Sequence, residues 1–170
     1  MIDISACGAT VEVKYGGGTI NITQFSDEGT PFECPDVDLS DNKKNLNGQM
    51  ISSRTPSVYT ISLTVIPGSK EDRELTKLAE KSAIMPGNVR PISEIVIESI
   101  ILRIPEINES SEETGKSVFT WLYGRMKNAP TGPSTSAEGR MSARTFTFEM
   151  EQFKPATDTG YNVGSVRGEL

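Results

Sequence analysis

The stretch Tyr59-Thr-Ile-Ser-Leu-Thr-Val-Ile66, followed by Pro67-Gly68-Ser69 and then by Lys70 to Ala83, decides how the chain folds. Tyr59, Ile61, Leu63 and Val65 fall on one side of an extended backbone, and Thr60, Ser62 and Thr64 on the other. That is the two-residue period of a strand with one buried face. Pro67 has no amide hydrogen to donate and Gly68 tolerates turn dihedrals, so the ladder stops there. Ser69 stands at an N-cap position with Glu71, Asp72 and Glu74 just behind it, where carboxylates meet the positive end of a helix dipole. The helix this predicts carries Leu75, Leu78 and Ala79 on one narrow stripe, with Lys70, Glu71, Arg73, Glu74, Lys77, Glu80 and Lys81 around the remainder. Pro86-Gly87 ends it. No other segment has a comparable helical pattern, so one helix is expected in an otherwise β chain.

On the N-terminal side, Thr10 to Lys14 and Thr19 to Ile22 flank Gly16-Gly17-Gly18 and predict a short hairpin. A phosphate loop is not expected there, because no Lys-Ser or Lys-Thr and no helix follows the glycines. From Gln24 to Val58 the composition turns to Asp, Ser, Asn, Gly and Pro, with apolar pieces only at Phe32 to Val37 and Leu46 to Ile51. This predicts a long irregular segment of the kind that serves as an arm. Asp36, Asp38 and Asp41 lack the central glycine and terminal glutamate of a calcium loop and read as a solvated turn.

On the C-terminal side, Ile92 to Ile104 is apolar on both faces and predicts a strand covered on two sides, ended by Pro105. Glu106 to Gly115 reads as an exposed acidic loop. Val118 to Lys127 predicts a strand with Phe119, Trp121 and Tyr123 on one side, and Asn128 to Glu138 a loop. In Arg144 to Phe153, Phe146, Phe148 and Met150 alternate with Thr145, Thr147, Glu149 and Glu151. The expected division is one β domain over 1–153, with the long segment at about 24–58 inserted in it, and a C-terminal arm over 154–170.

At 170 residues the chain is long enough to bury a core, yet only 35% of it is apolar and its net charge is −6. A core-poor, acidic chain with surplus apolar strand faces is expected to gain stability by association and not to grip nucleic acid phosphates. Cys7 and Cys34 can pair or stay free; two cysteines make neither a disulfide framework nor a four-ligand zinc site. No run reaches the length of a membrane span, and Met1-Ile-Asp-Ile-Ser lacks the basic and apolar regions of a signal peptide. A cytoplasmic protein without a membrane anchor is expected.

Catalysis finds little support in these residues. Histidine, the commonest general base and metal ligand, is absent, and there is no nucleophile elbow, Walker loop or dinucleotide fingerprint. Glu149 and Glu151 recur on one strand face, which reads as a solvated surface and not as a glycosidase pair.

The order of these elements resembles the tube proteins of contractile phage tails: the glycine-turned hairpin, the long irregular segment, the strand from Tyr59 running through Pro67-Gly-Ser-Lys-Glu-Asp-Arg-Glu-Leu75 into one helix, then Ile92 to Ile104, Val118 to Lys127 and a closing Thr-Phe-Thr-Phe strand. Tube proteins of type VI secretion and baseplate tube initiators share that fold. The resemblance implies a mainly β fold, α+β by count: two packed antiparallel sheets forming a β-sandwich or partial barrel with one flanking helix. It further implies homohexameric rings stacked into a hollow tube, with duplex DNA in transit, no cofactor, and tail sheath, baseplate and tail terminator proteins as partners. Assembly is expected in the host cytoplasm and residence in the virion tail. Under that reading Thr60, Ser62, Thr64, Thr145, Thr147, Glu149 and Glu151 line the channel, and Phe32, Val37, Leu46, Met50 and Ile51 contact neighbouring subunits. Two alternatives stay open: a baseplate initiator or tail-tip ring of the same fold, and a β-sandwich binding glycan or peptide through Phe119, Trp121 and Tyr123.

Overall fold

The structure, a computed structural model, describes residues 8–27, 30–83, 90–107, 113–135 and 137–157. Nine strands and two helices follow in the order β1 (Thr10–Tyr15), β2 (Gly18–Ile22), β3 (Phe32–Glu33), β4 (Ser40–Lys44), β5 (Met50–Arg54), β6 (Tyr59–Val65), α1 (Lys70–Ser82), α2 (Ile92–Ile95), β7 (Ile97–Ile107), β8 (Glu113–Asn128) and β9 (Arg144–Thr157). Seven strands form one antiparallel sheet in the order β2-β1-β7-β8-β9-β6-β3, and β4 and β5 form a second sheet by themselves. The fold is mainly β, sandwich-like and without a closed barrel among the described residues: the alternation of the sequence implies the strands, and the resemblance implies the sandwich.

The large sheet is folded over on itself. In a flat sheet β3 would lie three strand spacings from β8, about 14 Å. Yet Phe32 of β3 and Trp121 of β8 have ring centroids 5.5 Å apart. The crease that permits this crosses the three long strands along one row. The register passes from Ser99↔Leu122 to Ile97↔Gly124, and from Leu122↔Gln152 to Gly124↔Met150, so Glu98, Tyr123 and Glu151 form the skipped row between. On one side of it Ile100, Leu102 and Trp121 are buried; on the other, Ile97, Phe148 and Met150 are. The inward positions change parity across the row, as happens where strands pass from one layer of a sandwich to the other through a bend. Tyr123 has a left-handed φ of 54°. A side chain at Gly124 would collide with the backbone carbonyl of Glu149 and lie 2.8 Å from Met150 Cα.

This crease corrects one sequence expectation. Tyr123 does not share a row with Phe119 and Trp121: it is 53% exposed, whereas Trp121 is 4% exposed and stacks on Phe153 at 5.1 Å. A φ reversal in mid-strand leaves no trace in hydrophobic alternation.

The helix forms where the sequence places it. Ser69 Oγ accepts from the Asp72 amide and Asp72 Oδ2 accepts from the Gly68 amide, a reciprocal capping arrangement. Leu75 and Leu78 enter the same core as Val11, Val13, Ile20, Ile22, Ile61 and Leu63. Glu71, read as a surface position, and Asp72, read as a first-turn carboxylate, are both buried. For Asp72 the reason is Arg144 at the start of β9, whose Nε lies 2.7 Å from Asp72 Oδ1, both side chains being almost covered. The contact is an ion pair whose angle falls outside hydrogen-bond geometry. It fastens the helix to the sheet.

Several boundaries differ from expectation. Ile92–Ile95 is one helical turn after Pro91, with Arg90 and Glu94 paired at 3.4 Å, and the strand starts only at Ile97. Its apolar residues are not all covered: Ile92 is exposed and Ile101 half-buried. Pro105 does not end β7, which runs on to Ile107 opposite β8. β9 likewise continues through Pro155 to Thr157, past the expected end at Phe153. Among the described residues both prolines lie on stretches paired on one side only, since β1 reaches only Arg103 and β6 only Met150. A strand edge of that kind tolerates proline, which has no amide to donate. The expected stop at Pro86-Gly87, residues 108–112 of the expected acidic loop, Cys7 and the chain beyond Thr157 lie outside the described residues, while Glu106 and Ile107 belong to β7 and Glu113 to Gly115 to β8 in place of a loop.

The segment 24–58 is not wholly irregular. It holds β3, which joins the large sheet beside β6, and the β4–β5 hairpin. Asn47-Gly48 was the legible sign of that hairpin, Gly48 taking the positive φ of 78° that such a turn requires. The absence of a buried face hid it, because every residue of both strands is exposed.

Candidate functional site

Two surfaces stand out among the described residues: the polar face of the layer β8-β9-β6-β3 and the β4–β5 hairpin. On the first, the register pairs Thr60 with Glu149, Ser62 with Thr147 and Thr64 with Thr145. The Thr64 and Thr145 hydroxyls lie 3.1 Å apart, those of Ser62 and Thr147 3.4 Å. Six of the seven candidate lining residues therefore form one cross-strand ladder. Glu151, the seventh, stands on β9 in the crease row, opposite no residue of β6.

The face is less open and less acidic than its sequence suggests. Thr64 is only 6% exposed, covered where its amide donates to Pro31 and its carbonyl accepts from Ser26. Beside it Thr30, Glu33, Ser62, Ser142 and Thr145 surround a shallow space of about 340 Å³. Lys127 of β8 reaches Glu149 at 2.9 Å, and Arg125 stands opposite the same residue. Sequence reading missed these two cations and Glu33. Met126 between them is turned to the core, and that alternation was the available signal. With Glu33, Glu149 and Glu151 against Arg125 and Lys127, the face is polar and nearly balanced in charge.

The hairpin is the opposite kind of surface. Leu46 at its tip is 107% exposed, with Met50 at 67% and Ile51 at 60%. The tip is nonetheless well ordered: Asn45 Oδ1 accepts from the Asn47 and Gln49 amides at 3.0 and 2.9 Å, and two backbone bonds close the turn. At the hairpin's base Thr55 donates to the Leu39 carbonyl at 3.2 Å, and Ser57 Oγ bonds the Asp38 carbonyl. Of the five candidate contact residues the structure thus leaves Leu46, Met50 and Ile51 free, keeps Val37 half-buried, and turns Phe32 into its own core against Trp121.

Nothing here resembles a reaction centre. No cluster of metal-ligating side chains occurs among the described residues. No helix is long and apolar enough to cross a membrane. The aromatic platform needed for glycan binding is lost, because Trp121 is inside and Tyr123 has left its row. Two displaced titrations stand out among the described residues. The hydrogen bond from Arg140 and then its charge hold Asp27 below the usual carboxylate range, at a pair distance of 2.7 Å. Cys34 reaches solvent, yet partial burial of the thiol, followed by the Glu33 charge, pushes it up to about 11.

These features define a mainly β, sandwich-like protein with one capped long helix, a polar outer sheet face and an exposed hairpin. Residues 2–154 match the family model described as tail fiber protein gp32, and the chain belongs to that family. It is accordingly a structural protein of the phage tail and not an enzyme. Among solved structures, the tube-terminating cap of the anti-feeding prophage is similar with a TM-score of 0.54 and 14% identity, over 92% of this chain and 93% of that one. The sheath/tube terminator of the extracellular contractile injection system PVC, in its extended state, gives 0.55 and 15%, over 90% and 96%. At such identities the likeness concerns the fold. No curated protein matches the chain.

Proposed function

We propose that copies of this chain form six-membered rings on the axis of a phage tail, that the rings stack into a hollow tube, and that the β8-β9-β6-β3 face lines its bore. The observation that carries this reading is that the four-strand layer is open at both borders. Beyond Gly124, β8 has only β9 as a neighbour among the described residues; on the other border β3, with Phe25, Ser26 and Pro31, covers Ser62 to Val65 of β6 and leaves Tyr59 to Ile61 without a neighbour on that side among the described residues. Exposed borders of this kind pair readily with another copy. Six copies giving four strands each, at a spacing of about 4.8 Å and a tilt near 40°, make a barrel roughly 48 Å across its backbone. Side chains narrow that bore and still leave room for a duplex.

A polar, nearly charge-balanced lining suits passage, since phosphates find hydroxyls and paired charges in place of a basic track. The partners under this reading are other copies of the chain, the sheath, the baseplate and the tail terminator, with assembly in the host cytoplasm. A second reading, a single ring that ends a tube, is favoured by the likeness to two terminating caps over at least nine-tenths of this chain. Negative-stain microscopy and sedimentation of the purified protein test both. Open-ended tubes support the first reading and isolated rings the second. Monomers at high concentration, or solid fibres without a lumen, overturn both.

A further inference from the structure

The hairpin tip and a groove beside α1 are both without a partner among the described residues, one convex and one concave. The groove runs between the C-terminal half of α1 and the loop after β8. It has a volume of about 510 Å³, and Ala79, Ala83, Met126, Ala129 and Pro130 supply its apolar lining. Leu46 is an exposed apolar tip held by the bonds of Asn45, with Met50 and Ile51 exposed on opposite faces of the strand that follows it. A rigid tip loses little conformational freedom on docking. Of the three charged residues that line the groove, Arg144 is paired with Asp72 and Lys127 with Glu149, which leaves Glu80, exposed like Lys44 beside the tip and, like it, without an ion partner among the described residues.

We propose that the Leu46 tip of one copy docks into the α1–β8 groove of the next. The contact joins two different patches of one chain, so it is heterologous, and it generates a ring or an open stack instead of a closed pair. This proposal rests on the reading that copies of the chain assemble, and it names the surfaces through which they do so.

The test uses the full chain carrying Cys7→Ser and Cys34→Ser. One preparation adds Leu46→Cys; a second, distinguishable by mass, adds Ala83→Cys. Mixed and mildly oxidised, they should give a disulfide-linked product containing one copy of each, and neither preparation alone should do so. Leu46→Asp in the otherwise native chain should leave the monomer's melting temperature unchanged, because Leu46 touches nothing in its own fold. It should raise the concentration needed for assembly roughly tenfold or more, the effect of losing one buried leucine. Rings or tubes that form without the mixed disulfide, or that assemble unaffected by Leu46→Asp, overturn the docking while leaving the assembly reading intact. Absence of any assembly overturns both.

Discussion

The seven-stranded sheet and the β4–β5 hairpin are made of the same antiparallel ladder, yet one covers a core and the other has no buried face. In the sheet, alternate residues of β6 and β9 enter a shared core: Ile61, Leu63, Val65, Phe146 and Phe148 are wholly buried. In the hairpin, Lys44 faces Met50 and Lys43 faces Ile51 across the ladder, so neither side collects an apolar surface of its own. An isolated two-stranded hairpin is marginal in water. This one persists through its turn bonds and its anchoring base. The contrast teaches that period alone makes a strand, whereas a covered face makes a core, and that the apolar residues left over on the hairpin are available to a partner.

The sharpest way to break the contrast is to damage the body. Phe148→Ala should cost about 3–5 kcal/mol by chemical denaturation, since it removes a fully buried ring from a packed core. A loss under about 1 kcal/mol would mean that the second layer is not packed as described. Asp72→Ala should cost a similar amount, about 3–5 kcal/mol, because it strands the Arg144 guanidinium in a nearly covered site. The paired replacement Asp72→Leu with Arg144→Met should recover most of that loss, and failure to recover would assign the cost to the cap at Gly68 instead. Ser69→Ala should cost about 1 kcal/mol through the lost cap of α1.

At the other end of the scale, Ile51→Ala should change the stability of the isolated chain by less than about 0.5 kcal/mol. Any larger change would show that the hairpin leans on its own body. Cys34 offers the mildest probe. Its thiol titrates near 11 in place of 9.0. Alkylation at pH 8 should therefore run about a hundredfold slower in the folded chain than in urea, allowing for the smaller thiolate fraction alone. Because the folded value is the raised one, its contribution to stability is present below pH 9 and is lost as pH rises towards 11.

Much of this was legible in the residues. Tyr59 to Val65, the Ser69 cap, the Leu75 and Leu78 stripe and the Phe146-Phe148-Met150 row are each set by contacts within a few positions, so alternation and capping chemistry reveal them. The hydroxyl ladder was legible too, because a two-residue period puts Thr60, Ser62 and Thr64 on one face whatever that face meets. The hairpin was harder to find: its strands lack a buried side, and only the Asn-Gly dipeptide marked it.

What the sequence determined by itself is therefore the set of strands, the single long helix and the absence of reactive groups, since these follow from local backbone preference and side-chain type. Only the tertiary structure decided the rest: that Phe32 turns inward against Trp121, that Tyr123 turns out, that Asp72 is buried with Arg144, and that Pro105 and Pro155 sit harmlessly inside strands. Each of those outcomes depends on a residue distant in the chain, or on whether a neighbouring strand is there at all, and pairing of that kind is fixed by how the sheet folds over at the row of Glu98, Tyr123 and Glu151.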